Sequence, residues 1–390
     1  MARFCSTLFS AALYILSAVA NGQVPSWQTD GPQIEEDEFL IEIPIELLAG
    51  KIYLNIEMGG QPRQFVLDTG SPSMISASLA AELGLQTVGK SQGVDAHGVT
   101  IESNIVQAEL GLGGIRLRNV PMFVADFSSS AAAQCLLGDG ILGSEVLPLC
   151  VWQIDLPDST LRCASRKSQL DHLRGSSQQK LHSYGYPHTP YLDTQLAKQA
   201  KSKAMFDTGS APLFVISPPD LAGTQRVGGI AGYVYGEGSS GTSLGGKSPN
   251  RRQQKAAIKR LAIGNLKLGK VEAVQRDLAP SLVGSSILEE HVVTLDSAAG
   301  KIYFDRYRKR SPQRSSFGFA LSFDGGTHVS LVWDNSPAAQ AGLEVGQKVL
   351  ALNDIPADSS CPSIRDALTS LQGDSLKIEW AGGTAELKRP

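Results

Sequence analysis

Two aspartates stand in the same local surroundings: Asp68 and Asp207 each open the tetrapeptide Asp-Thr-Gly-Ser, as Asp68-Thr69-Gly70-Ser71 and Asp207-Thr208-Gly209-Ser210. Each follows an apolar run, Phe65-Val66-Leu67 in one case and Ala204-Met205-Phe206 in the other. An apolar strand can deliver a carboxylate at its end. The glycine lets backbone come close, and the hydroxyls can donate to a carboxylate or tie the turn to a neighbour. Two carboxylates brought face to face cannot easily both ionise, so they share one proton and their pKa values separate. The ionised member can then draw a proton from a water while the protonated member polarises a carbonyl. Such a pair hydrolyses an amide without metal, cofactor or covalent intermediate. One tetrapeptide of these residue types arises by chance in roughly one chain of this size in a hundred. What decides is whether the two copies hold equivalent places.

They do. Tyr53 precedes Asp68 by fifteen residues and Tyr191 precedes Asp207 by sixteen, and each interval reads as two strands around a turn. Residues 110–126 match 261–277 at a constant offset of 151, with Leu, Gly, Leu, Val and Asp identical. Leu142-Gly143 and Val283-Gly284 follow, their glycines 75 and 77 residues after the respective aspartates. The hairpins at 151–161 and 292–304 also align. The chain reads as two halves on one plan, and a twofold relation between them would set Asp68 opposite Asp207.

Over about residues 40–305 these motifs resemble the pepsin-like and retropepsin-like aspartic proteases. The resemblance implies a mainly β, two-lobed, pseudo-twofold β-barrel fold, with lobe 1 at 41–165, a linker at 166–186 and lobe 2 at 187–305. It implies that Asp68 and Asp207 are the catalytic pair and that Thr69 and Thr208 link the turns beneath it. Gly70 and Gly209 belong to those turns, and Ser71 and Ser210 would steady the outer carboxylate oxygens. Leu142-Gly143 and Val283-Gly284 would support the turns from below. Lobes of this length look more like a fused retropepsin pair than a full pepsin. The pepsin-type flap tyrosine has no clear counterpart: residues 93–98 of the first lobe offer His97, and residues 228–233, ending in Tyr233, are Gly-rich like retroviral flaps. A protease-derived scaffold that binds peptide without turnover is the alternative.

At 390 residues, 42% apolar and 19% charged, the chain is long enough for two or three domains. Its net charge of -3 points to neither nucleic acid nor an anionic membrane. Residues 1–20 read as a secretory signal, with Arg3, an apolar run and Ala18-Val19-Ala20 for cleavage; residues 21–40 read as a tail. A membrane anchor is the competing reading of the first segment. No stable span is expected after signal removal. Cys135, Cys150, Cys163 and Cys361 then remain, an even number that permits disulfides. Cys150 and Cys163 flank an apparent hairpin, where a bridge and two buried thiols are both open readings. No Cys/His spacing suggests a metal site.

Residues 165–186 are polar and read as a solvated connector, and 236–255 as an inserted mobile Gly/Ser loop present only in the second half. That loop contains Gly241-Thr242-Ser243-Leu244-Gly245-Gly246-Lys247-Ser248, which fits the phosphate-binding pattern of an ATPase, and Gly241 to Gly245 fits a nucleophile elbow. Both patterns need a strand before and a helix after; neither is present, and Pro249 biases Ser248 away from helix. Both matches follow from composition.

After a basic linker at 306–315 the pattern changes. Phe317-Gly318-Phe319, the run Ser336-Pro337-Ala338-Ala339-Gln340-Ala341-Gly342-Leu343 and the stretch from Gly346 to Asn353 occur in order. Residues 363–372 then read as a helix with Ile364, Leu368 and Leu371 on one face. This resembles a PDZ domain, a small α+β module, at 316–390. The resemblance implies that Phe317, Gly318 and Phe319 form a carboxylate-binding loop, and that a peptide C-terminus adds as a strand to the groove beside it. The sequence therefore predicts an exported aspartic endopeptidase, periplasmic or secreted, acting on peptide or protein, with a possible C-terminal peptide ligand and no cofactor.

Overall fold

A computed structural model describes residues 26–309 and 316–390. The signal segment expected at 1–20 lies outside these residues, as do part of the tail and part of the basic linker. The chain is mainly β, and its two halves lay down the same elements in the same order. In the first half, Lys51–Met58 and Gln61–Leu67 form an antiparallel pair whose second strand ends at Asp68. Gly140–Leu142 pairs parallel to Gln61–Leu67 and antiparallel to Met74–Ser76. In the second half, Tyr191–Ala197 pairs with Ala200–Asp207. Ser281–Gly284 runs parallel to Ala200–Asp207 and antiparallel to Phe214–Ile216.

Each short strand then hands over to a helix, Ala77–Glu82 or Pro218–Arg226. Ser76 ends the first of these strands and accepts from Leu79 N, capping the orphan donors of the helix start. Pro218 takes the first helical position of the other, where its missing N–H costs nothing.

The halves are joined by sheet as well as by chain. Val151–Asp155 is buried on both faces and pairs Trp152 with Leu295 and Ile154 with Val293 of the opposite half. Apolar residues of both halves, among them Ile52, Phe65, Trp152, Phe206 and Leu295, form one continuous core. Cys150 and Cys163 are bridged across the hairpin.

Three segments differ from their sequence expectation. The connector holds a strand, Ser177–His182, which pairs Gln179 with Ile302 and Leu181 with Leu192. Its polar composition conceals the fact that Gln179 is buried with its amide satisfied: its carbonyl oxygen accepts from Asn265 N at 3.1 Å. The tail is anchored through Trp27, 1% exposed, whose ring meets Tyr186 edge-on at 5.5 Å. The Gly/Ser stretch is the tip of a long hairpin, Ile230–Gly238 with Arg251–Ile263, and closes in a small hairpin of Thr242–Ser243 against Gly246–Lys247. Ser248 N donates to Gly241 O, and the hydroxyls of Ser239 and Ser248 lie 2.9 Å apart. No helix opens at Lys247, which is exposed.

Residues 316–390 build a separate core from Phe317, Phe323, Val329, Val349, Leu352, Ile364, Leu376 and Trp380. The helix expected at 363–372 runs Cys361–Ser370 and is capped by Ser360. Strand His328–Trp333 pairs with Phe319–Ser322 on one side and with Ile230–Gly238 of the long hairpin on the other. A second disulfide, Cys135–Cys361, ties helix Ala131–Leu136 of the first half to the start of helix Cys361–Ser370.

Candidate active site

The two strands that end at Asp68 and Asp207 bring their turns into direct contact. Thr69 Oγ1 donates to Phe206 O at 2.7 Å and accepts from Thr208 N at 3.1 Å. Thr208 Oγ1 returns the pattern, donating to Leu67 O at 2.8 Å and accepting from Thr69 N at 3.0 Å. Both threonines are buried, so four polar groups that would be costly unpaired are satisfied across the boundary between halves. This is the link expected of Thr69 and Thr208.

The glycines are required by approach. A Cβ on Gly70 would lie 2.5 Å from Asp207 Cγ, and one on Gly209 would lie 2.3 Å from Asp68 Oδ2. Each carboxyl therefore rests against the other half's turn, and Gly70 N donates to Asp68 Oδ1 at 2.9 Å. From below, Asp68 N donates to Leu142 O at 3.0 Å, while Ser144 N and Ser285 N donate to Ser71 O and Ser210 O at 2.9 and 2.7 Å.

Ser71 does not act as expected. Its hydroxyl is buried and has no hydrogen-bond partner among the described residues. Ser71 and Ser210 meet the glycine motifs through their carbonyls instead.

Asp207 is half-buried. Burial pushes its carboxyl well above the ordinary range, and the hydrogen-bonded Asp68 carboxyl beside it pushes the same way. Lys51 and Arg276 pull in the other direction without prevailing. Burial and the neighbouring carboxyl therefore both favour a pair that shares a proton.

Sequence reasoning missed three residues around this pair. Lys51 Nζ donates to Gly209 O at 3.1 Å across the halves. Arg276 lies near enough to Asp207 to favour its charge. Glu145 is 1% exposed and accepts from Ser73 N at 2.9 and 2.8 Å, from Ser73 Oγ at 3.0 Å and from Tyr186 OH at 3.1 Å. A signal for Glu145 was present, since the aligned position of the second half is Ser286. A carboxylate in only one of two matched glycine motifs has a local task.

The hairpin tips approach each other. Gly245 N donates to Asp95 Oδ2 at 2.9 Å, and Ser243 Oγ bonds the same oxygen, so the turn after Thr87–Val94 rests on the tip of the long hairpin. His97 Nε2 and Tyr233 OH, on the two hairpins, are both buried without a partner among the described residues. Phe317 and Phe319 are buried in the C-terminal core, with Gly318 between them at φ +89°. These three residues lie away from the dyad's turns, at the start of strand Phe319–Ser322. Among the described residues, no group of three or more His, Cys, Asp or Glu side chains is placed to hold a metal ion, and no helix is long and apolar enough to cross a membrane.

No curated protein sequence is similar enough to the chain to stand as a relative. Among solved structures, basic 7S globulin from soybean is 10% identical, with the similarity covering 68% of this chain and 94% of that one at a TM-score of 0.41. Aspartic proteinase from Irpex lacteus is 11% identical, covering 69% and 97% at a TM-score of 0.42. Residues 54–146, which carry Asp68, its turn and the Leu142-Gly143 motif beneath it, match the model of the aspartyl protease family.

Proposed function

We propose that this chain is an exported aspartic endopeptidase that hydrolyses peptide bonds with a water held between Asp68 and Asp207. The observation that carries the reading is the reciprocal threonine link, which fixes two Asp-Thr-Gly turns against each other; the raised pKa of Asp207 beside Asp68 is in keeping with a pair that shares a proton. Asp68, steadied by Gly70 N, takes a proton from the water. Asp207 gives its own to the substrate carbonyl oxygen as the tetrahedral intermediate forms. A substrate lying under the hairpin tips would supply the partners that His97 Nε2 and Tyr233 OH lack. The two disulfides are compatible with export, since such bonds persist in oxidising compartments.

We also read residues 316–390 as a PDZ-like module. On that reading the peptide groove would lie between Phe319–Ser322 and Cys361–Ser370, with Phe317, Gly318 and Phe319 at one end. Among the described strands, Phe319–Ser322 pairs only with His328–Trp333, which leaves its other edge for an added peptide.

The test is to incubate the mature protein with a peptide mixture from acid to alkaline pH and map the cleavages by mass spectrometry. Cleavage is expected at acid pH, and it should decline as pH rises through the raised pKa of Asp207, where the pair loses its proton. Peptides retained but uncut at every pH would establish the scaffold reading instead. Gly209→Ala supplies an independent check, because its Cβ must displace Asp68. A misplacement of this kind is expected to lower kcat by about 10²-fold, with the denaturation midpoint showing that the fold survives.

A further inference from the structure

The long hairpin of the second half has a partner that the two-halved plan does not supply. Strand Ile230–Gly238 is paired on one side by Arg251–Ile263 of its own hairpin. On the other it takes His328–Trp333 of the C-terminal module, pairing Gly236 with Trp333, Glu237 with Val332 and Gly238 with Leu331. Asp334 N donates to Tyr235 O and Ser239 N to Ser330 O, each at 2.8 Å, extending the seam beyond the paired residues. Lys255 of the hairpin sets its ammonium 4.4 Å from the centre of the Trp333 ring. The approach is close enough to dictate sequence: a Cβ on Gly236 would lie 2.6 Å from Val332 O and 2.9 Å from the Trp333 ring. Without the module this strand would be an edge with unpaired backbone groups.

The module's opposite side is fastened to the first half. Cys361 is bonded to Cys135. Arg365 donates to both Glu46 oxygens at 3.0 and 3.1 Å, and Asp324 accepts from Ser130 Oγ and Ala131 N at 3.0 Å. The module therefore spans from the first half to the hairpin of the second, with the dyad between the halves it connects.

We infer that the C-terminal module is a strut that positions the second hairpin over the dyad, sewn to the hairpin by strand addition and moored to the first half by Cys135–Cys361. Trp333 and the disulfide are positioning residues acting through the hairpin, and neither touches the reacting carboxyls. The two moorings act in series, so releasing either end frees the hairpin. The strut rests on the endopeptidase reading only for its kinetic consequence; the mechanical link is independent of it.

The experiment compares the full-length protein with Trp333→Ala, with the pair Cys135→Ser and Cys361→Ser, and with all three substitutions together. Hydrogen exchange is followed on the hairpin segment 230–239, with Ala200–Asp207 as the reference for an intact fold. Exchange of the hairpin should quicken at least about tenfold in either variant while the reference strand is unchanged. The triple variant should be no faster than the faster of its parents, because moorings in series are not additive. With a cleavable peptide, KM should rise several-fold and kcat change little. Hairpin protection equal to that of the parent protein in either variant, or additive loss in the triple one, overturns the strut. If the cysteine pair unfolds the reference strand, Arg365→Ala replaces it and is judged by the same criteria. A loosened hairpin in a protein that cuts no peptide would leave the strut standing and remove the endopeptidase reading; the reverse outcome would do the opposite.

Discussion

Replacing Asp207 by Asn is expected to lower peptide hydrolysis by about 10³-fold or more, at the upper end of what one positioned acid–base group supplies, while leaving the fold at least as stable as before. Asn has the size of Asp and can still lie against Gly70, so the turn need not move. It has no acidic proton to pass to a carbonyl oxygen. The stability half of the expectation follows from linkage. Burial and the neighbouring Asp68 raise the Asp207 pKa in the folded chain. Below the unfolded value the group is neutral in both states and costs nothing. Between the unfolded value and the raised folded value the unfolded chain is ionised while the folded chain still holds its proton, so stability falls as pH climbs across that window. Asn never ionises, so Asp207→Asn should be inactive and, at neutral pH, equal or superior in denaturation midpoint. Asp68→Asn should be equally inactive. A peptide assay with denaturation on the same preparations decides it; more than a tenth of the parent rate in either variant would remove the pair from the mechanism.

The dyad, its threonines and the glycine motifs beneath it were legible because they belong to a repeated plan. A strand of apolar residues, a carboxylate at its end and a Gly 75 to 77 residues later occur twice, and two copies specify a meeting point. What was not legible depends on contacts between segments with no shared pattern. Cys135 and Cys361 are 226 residues apart, and nothing in their surroundings pairs them. The Gly/Ser stretch read as a mobile loop because glycines usually mark freedom. Gly236 is glycine for a different reason, the carbonyl of Val332 where a Cβ would stand. Gln179 fell in a stretch read as a solvated connector and Trp27 in one read as a tail, yet both are buried in the fold. Ser71 shows the opposite failure. Its hydroxyl, expected to steady a carboxylate oxygen, has no hydrogen-bond partner among the described residues, and the turn is tied to the glycine motif through its carbonyl.

Glu145 gives a second large effect, one that can be separated from catalysis by its pH dependence. Burial carries its carboxyl from 4.5 to about 7, against the opposing hydrogen bonds from Ser73 and Tyr186. The sign follows as for Asp207: the protonated form is neutral in folded and unfolded chains at low pH, and stability declines as pH rises through about 7. The span corresponds to about 3 kcal/mol once the group is ionised. Glu145→Gln removes the ionisation and keeps one oxygen to accept from Ser73, so it should be slightly destabilising at acid pH and gain about 3 kcal/mol on the parent protein between pH ~4.5 and ~8. Glu145→Ala should be destabilised at every pH, because Ser73 N, Ser73 Oγ and Tyr186 OH lose their acceptor inside the protein. Denaturant unfolding at the two pH values measures both. Parallel pH profiles for the parent and Glu145→Gln would show that this carboxyl is ionised throughout and that the Ser73 bonds outweigh its burial. Ser73 Oγ also accepts from Gly143 N at 2.9 Å, so the Glu145 cluster holds the glycine motif under Asp68. The alanine variant should therefore lose hydrolysis along with stability, whereas the glutamine variant should keep it.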